Sequence, residues 1–224
     1  LNKNFLNLVF SNIIYESSFF LVLNKPFGLL SQSTFKEKNM LDIIRLYYRT
    51  QIDLVHRLDK FSTGCLIFSK NYFFLKLFFK FFLIGNIEKI YYTIIKGVFF
   101  GSLIFTFFLL CNGNTIYKKK YFSLLHIKAI HCFGKNTLIQ VKLYTGKKHQ
   151  IRLCCVYFKY SIIGEQYYFF GKKIKNFKNK NSFFLHARSL KFILFGKKIY
   201  FIKASFDYYF CFFVFFLIYN SNNK

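Results

Sequence analysis

Acid is what this chain lacks: eight Asp and Glu stand against 34 Lys and Arg in 224 residues, a formal charge of +26. A balance of that sign points to a polyanion bound through counterion release, either a nucleic acid or an anionic membrane surface, and away from a sensor of small acidic molecules. The six cysteines form no C-x-x-C pair, and no His/Cys cluster has metal-ligand spacing. That excludes the usual structural zinc sites and leaves a reduced, cytoplasmic protein as the expectation. No cleavable secretory signal precedes the first strand-like run. The longest uncharged apolar run, Tyr208 to Tyr219, falls short of the roughly 20 residues a spanning helix needs and reads as a buried or docked terminal helix or strand. Internal repeats and domain-separating linkers are also missing, so one domain is expected over residues 1–224.

What is present is apolar. Hydrophobic residues make up 54 % of the chain, enough to bury one sizeable core. The crowding of Phe, Ile, Asn, Tyr and Lys is what an AT-rich coding sequence favours, and part of the charge follows from it. Drift of that kind turns Arg into Lys wherever function permits. The five arginines, Arg45, Arg49, Arg57, Arg152 and Arg188, are therefore better guides than the lysines.

Ile13–Glu16 and Phe19–Leu23 read as strand, turn and strand, stopped at the single proline, Pro26, with Gly28 permitting a tight loop. Lys76 and Lys80 lie one helical turn apart with Phe74, Leu77, Phe78 and Phe81 on the other face, which predicts an amphipathic helix over Tyr72–Ile84 ended by Gly85-Asn86. Strands are expected over Tyr91–Lys96, ended by Gly97, and over Ile139–Leu143, where apolar residues alternate with Gln140 and Lys142 ahead of Thr145-Gly146. Gly171–Asn181, with five lysines, reads as a solvated loop able to touch phosphate. The expected class is α+β, a central mixed, mainly antiparallel sheet flanked by few helices and loops.

The run Val55-His56-Arg57-Leu58-Asp59-Lys60-Phe61-Ser62-Thr63-Gly64, backed by an apolar strand from Cys65 to Phe68, resembles the H-R-L-D-x-x-[ST]-[ST]-G signature of RluA-type pseudouridine synthases. Alone, it could equally be a loop whose Arg and Asp merely pair. Four other segments stand in the family's chain order. Ile13–Glu16 with Val22-Leu23-Asn24-Lys25-Pro26-Phe27-Gly28 is similar to the family's opening strand and loop, and Lys89-Ile90-Tyr91-Tyr92-Thr93-Ile94-Ile95-Lys96-Gly97 to its K-x-Y-x-A-x-V-x-G. Thr145-Gly146-Lys147-Lys148-His149-Gln150-Ile151-Arg152 is similar to T-G-R-T-H-Q-I-R and runs on through Ile162-Ile163-Gly164-Glu165 to Tyr168, while Leu185-His186-Ala187 with Leu190 and Phe192 is similar to the closing strand. Lys147 replaces an Arg, Cys154 a common His, Ser161 a Pro and Glu165 an Asp. Lys147 keeps a charge but loses the bidentate fork.

The resemblance covers about Ile13 to Ala204, with a poorly matched interval from Phe99 to Asn136, and implies a single pseudouridine-synthase catalytic domain. Relatives often carry an N-terminal S4-type RNA-binding module, which is expected to be absent here. By resemblance Asp59 is the catalytic carboxylate, Arg152 the cation that keeps it ionised, and Tyr91 the aromatic against which the flipped base packs. Arg57 would enter the stack vacated by the flipped nucleotide, and His56, Lys147, Lys148, His149, Gln150 and Lys25 would bind or orient RNA. His56, His149 and His186 are read as structural or RNA-orienting rather than as metal ligands. The reaction is an isomerisation without redox, so no cofactor and no metal are expected. Structured RNA is the expected partner of a monomeric chain, large-subunit ribosomal RNA ahead of transfer RNA. A catalytically idle RNA-binding or ribosome-assembly factor is the competing reading, and a membrane-surface protein a distant third.

Overall fold

The computed structural model describes residues 11–33, 37, 39–48, 51–111, 119–165, 168, 183–196 and 198–222. In chain order its elements are β1 (Ile13–Glu16), β2 (Phe20–Lys25), α1 (Met40–Tyr48), β3 (Asp53–Leu54), β4 (Thr63–Ser69), α2 (Tyr72–Ile84) and β5 (Glu88–Lys96). There follow β6 (Ser102–Cys111), β7 (Lys119–Phe133), β8 (Asn136–Leu143), α3 (Gln150–Tyr157), β9 (Ser161–Ile162), β10 (Leu185–Leu194), β11 (Lys198–Lys203) and α4 (Tyr208–Asn222). They form two compact units, Leu1–Glu88 with His186–Asp207, and Lys89–Leu185 with Tyr208–Lys224.

The first unit holds strands in the order β1-β2-β4-β10-β11, with β3 also on β4; among these described strands β4 and β10 run parallel and the other pairs antiparallel. Every residue of β4 is buried, as a central strand covered on both faces requires. Phe20, Val22, Cys65 and Ile67 pack with Phe74 and Phe78 of α2 and with Phe192 and Tyr200. Phe78 sits edge-on to Phe20 and Phe192, and Phe192 stacks on Tyr200 at 5.3 Å; each such pair adds roughly 0.5–1.5 kcal/mol beyond area burial. Helix α2 has the predicted bounds. Asn71 Oδ1 accepts from Phe74 N at its start, and Gly85 ends it at φ 80°, a left-handed turn that suits glycine.

The second unit is an antiparallel sheet in the order β5-β8-β7-β6, with β9 on the end of β5. Burial alternates along all eight residues of β8, and Cys154 and Cys155 of α3, with Phe158 at its C-terminal cap, meet Ile95, Ile127 and Ile139 around a small apolar pocket. The poorly matched interval is the long β6–β7 hairpin, registered from Ser102↔Lys128 to Cys111↔Lys119. The terminal apolar run is helix α4, which docks by Phe210 and Phe213 on Phe184 but leaves Tyr208, Phe215 and Tyr219 exposed. The expected burial holds only along one edge. The predicted loop Gly171–Asn181 lies outside the described residues. Among the described residues no helix is long and apolar enough to cross a membrane.

Candidate active site

In the first unit, nearly every residue of the His56–Gly64 run is tied to a neighbour. Val55 N donates to Ile67 O, and His56 Nε2 accepts from Ile67 N at 3.2 Å while its ring lies 4.8 Å from that of Phe82. Leu58 N donates to Ser31 Oγ at 3.0 Å, and that hydroxyl donates to Leu58 O at 2.8 Å. Asp59 O accepts from Ser62 N, closing a tight turn, and Lys60 O accepts from Gly28 N. Arg57 and Lys60 are the exposed residues of the run, and Asp59 is half-buried.

Lys25 holds this loop from inside. Its position on β2 follows from alternation: Leu21, Leu23 and Lys25 share one face, and Lys25 is fully buried. Nζ donates to Leu29 O at 2.7 Å, Pro26 O at 2.9 Å and Lys60 O at 3.1 Å. Burial pulls its pKa down to about 7, while attraction to the Asp59 carboxylate opposes the fall. Three carbonyl acceptors need three N–H donors, which only the ammonium form has. A positive charge beside Asp59 favours the ionised carboxylate.

The strand behind Asp59 explains the glycine that ends the motif. Gly64 has φ 110°, and a Cβ there would come within 2.3 Å of Ala187 O. The parallel pairing of β4 with β10, His186↔Thr63 and Ala187↔Gly64, is possible only without a side chain at that position.

In the second unit, Tyr91, Thr93 and Ile95 share the face of β5 that α3 covers, whereas Tyr92 on the other face accepts from Gln140 Nε2 at 2.8 Å. Residues 145–150 form a loop clamped by neutral groups. Gln150, almost wholly buried, accepts at Oε1 from Lys147 N at 2.9 Å, and its Nε2 donates to Thr145 Oγ1 at 2.8 Å. Thr145 Oγ1 in turn accepts from Leu124 N. His149 takes φ 56° at the head of α3, and its Nδ1 lies 2.6 Å from the Tyr168 hydroxyl. Left-handed geometry at a non-glycine residue is a cost borne at functional loops.

Arg152 is buried one turn into α3. Its Nε and Nη2 donate to the two Glu165 oxygens at 2.8 and 2.6 Å, and its guanidinium carbon stands 5.1 Å from the Tyr168 ring centroid and 5.2 Å from that of Phe183. Lys89, two residues before Tyr91 on the same face, is buried beneath the Thr145-Gly146 turn, and burial pulls it down to about 8.

The sequence profile described as RNA pseudouridylate synthase matches residues 19–157, a span that contains the Asp59 loop, the Tyr91 strand and the Arg152 loop. The chain belongs to the RNA pseudouridylate synthase family. This synthase is 32 % identical to the ribosomal large subunit pseudouridine synthase C of Buchnera aphidicola subsp. Baizongia pistaciae, over 92 % of its own length and 70 % of that protein's. It is 29 % identical to a ribosomal large subunit pseudouridine synthase D of Buchnera aphidicola subsp. Acyrthosiphon pisum, over 71 % and 55 %. It is 26 % identical to the tRNA pseudouridine synthase C of Vibrio parahaemolyticus, over 87 % and 90 %. The solved structure of human RNA pseudouridylate synthase domain containing 4 superposes with a TM-score of 0.79 at 16 % identity, covering 96 % of this chain and 95 % of that one, and so shares the fold.

The synthase is an isomerase acting on RNA, and its candidate residues divide by unit. Asp59, Arg57, His56 and Lys25 belong to the first, Tyr91, Lys147, Lys148, His149, Gln150 and Arg152 to the second. Arg57 and Lys148 are the exposed cations among them. Lys25 and Gln150, expected at the RNA surface, are instead buried and spend their polar atoms on the loops beside them. His56 is a backbone acceptor, so its ring pins the loop. Sequence reading left Ser31 and the Arg152–Glu165 pairing unseen; the alternation of β2 was the available signal for Lys25, and Ser31 had none.

Proposed function

We propose that the chain isomerises uridine to pseudouridine in large-subunit ribosomal RNA, with Asp59 as the carboxylate that acts on the sugar. The reading is carried by one observation: a half-buried Asp59 in a loop pinned at nearly every residue, with the Lys25 ammonium caged beneath it. Breaking the N1–C1′ bond, rotating the uracil and forming C5–C1′ moves one proton from C5 to N1, with no net change of atoms or electrons. The protein must supply an ionised carboxylate as nucleophile or base. Arg152, held by Glu165 through Nε and Nη2, is by resemblance the cation that keeps the carboxylate ionised. Tyr91 packs on the flipped uracil and assists loss of the C5 proton.

A stacked uridine cannot reach such a pocket, so the nucleotide is extruded at a cost of a few kcal/mol. The exposed, planar Arg57 guanidinium fills the gap. Lys147, Lys148 and His149 hold the backbone around it. Both units act as one catalytic domain, in a cytoplasmic monomer. The first two relatives above are named for the large subunit, which favours that RNA. The Vibrio relative, matched over 90 % of its length, supports transfer RNA as the second reading.

Mapping pseudouridines in total RNA incubated with and without the protein tests target and activity together. Asp59→Asn should abolish product formation while RNA affinity stays within a few fold, because the carboxylate does the chemistry and the cations do the binding. Full activity in that variant overturns the assignment, and an inactive parent chain that still binds RNA revives the idle-factor reading.

A further inference from the structure

We infer that the outward face of the β10–β11 hairpin is a second RNA-binding surface, one that takes an unpaired stretch of the substrate; this rests on the reading of the chain as an RNA modifier. Antiparallel register sets Lys191 opposite Phe201, Ile193 opposite Ile199 and Ser189 opposite Lys203. Side chains alternate across each strand, so Leu190, Phe192, Tyr200 and Ile202 enter the core and their neighbours point outward. Ile193, Ile199 and Phe201 are 51, 60 and 54 % exposed, with Lys191 and Lys203 exposed beside them. Single exposed apolar residues are ordinary, but three adjoining on one sheet face mark a surface that something covers.

Charge selects the occupant. Neither β10 nor β11 contains a carboxylate, while Lys191 and Lys203 flank Phe201 and Lys203 Nζ stands 4.5 Å from the Phe201 ring centroid. An apolar protein surface would leave two ammonium groups facing no counter-charge. Single-stranded RNA satisfies both halves of the face: a base stacks on the ring and against the isoleucines, and flanking phosphates meet the lysines. Duplex RNA hides its base faces, so the surface selects unpaired nucleotides. None of these residues belongs to the Asp59 or Arg152 loops, and the face adds affinity and register rather than chemistry.

The chain has no tryptophan, so Phe201→Trp makes a unique fluorophore on this face without touching the core. Titration with a short oligouridine should quench the indole saturably, with affinity falling as salt rises. Adding Lys191→Glu and Lys203→Glu should raise Kd roughly tenfold or more, since two phosphate contacts are lost. A duplex of equal length should quench weakly. No quenching by oligouridine, quenching indifferent to the two charge reversals, or a response to phosphatidylserine vesicles in place of RNA overturns the inference. Pseudouridine formation by the parent chain on ribosomal RNA is measured alongside. Product without quenching refutes the face alone, and quenching without product refutes the catalytic reading while the face stands.

Discussion

Lys25 and Arg152 are both buried cations in motif segments, one in each unit, yet they are satisfied in different ways. Lys25 spends its three protons on three backbone carbonyls and organises a chain path. Arg152 spends a planar edge on one carboxylate, Glu165, and is itself organised. The lysine cage is neutral apart from the ammonium, so no carboxylate in the cage cancels the charge that Lys25 offers Asp59 in its protonated form. The Arg152–Glu165 pair sums to zero, so what it contributes is direction. Resemblance assigned the stabilisation of Asp59 to Arg152 alone; the geometry of the first unit gives Lys25 a share of it.

The sharpest way to break this comparison is Lys25→Met, which keeps length and apolar bulk but removes every donor. Pro26 O and Leu29 O lose the ammonium donor, each buried loss costing about 1–3 kcal/mol before relaxation, while Lys60 O keeps Gly28 N, and the Asp59 loop loses its inner tie. Pseudouridine formation should fall by roughly 100-fold or more, about 2.7 kcal/mol in the barrier, with urea unfolding shifted to lower concentration. A variant that keeps near-normal kcat would show that Ser31 and Gly28 hold the loop unaided.

Glu165→Gln probes the other cation with a smaller catalytic effect. Removing one partner of a buried pair costs about 3–5 kcal/mol of stability, although the amide still accepts one guanidinium hydrogen bond and should reduce that figure. The guanidinium then keeps its charge but loses its fixed edge, so kcat should drop by roughly tenfold with KM little changed. An equal loss in Glu165→Gln and Lys25→Met would erase the distinction between orienting and charging.

Much of this was legible before any coordinates. The α2 bounds followed from the Lys76/Lys80 spacing and the Gly85-Asn86 stop, and β8 from strict alternation, because local periodicity and helix-stopping residues decide both. The Asp59, Tyr91 and Arg152 segments were visible as ordered motifs. What could not be read was the interior use of polar side chains: Lys25 and Gln150 are surface residues by type, and the chain's return past them, through Lys60 O and Leu124 O, completes partner sets that local spacing does not announce. The β6–β7 hairpin was missed because its run of apolar residues lacks a period-two pattern strong enough to separate strand from buried helix. The outward β10–β11 face escaped for a related reason, since alternation names two faces without saying which is the core.

The smallest expected effect concerns a third buried group in the first unit, His186, and it separates folding from catalysis. Its Nδ1 lies 2.8 Å from Thr63 Oγ1 behind the Asp59 loop, and burial pulls its pKa down to about 4, with the Ala204 carbonyl and Asp207 opposing. The folded protein therefore keeps this imidazole neutral where the unfolded chain protonates it, near pH 6.5. The unfolded state binds more protons between about pH 6.5 and 4, so stability is full above that window and falls as pH drops through it, by up to about 1.4 kcal/mol per pH unit. His186→Gln removes the titration. Its urea midpoint should be lower than the parent's at pH 7, with the difference narrowing steadily toward pH 4.5, while kcat near neutral pH changes less than in either cation variant. Parallel acid profiles for the two proteins would mean that His186 takes up its proton in the folded state, and that the tie behind the loop is looser than its burial implies.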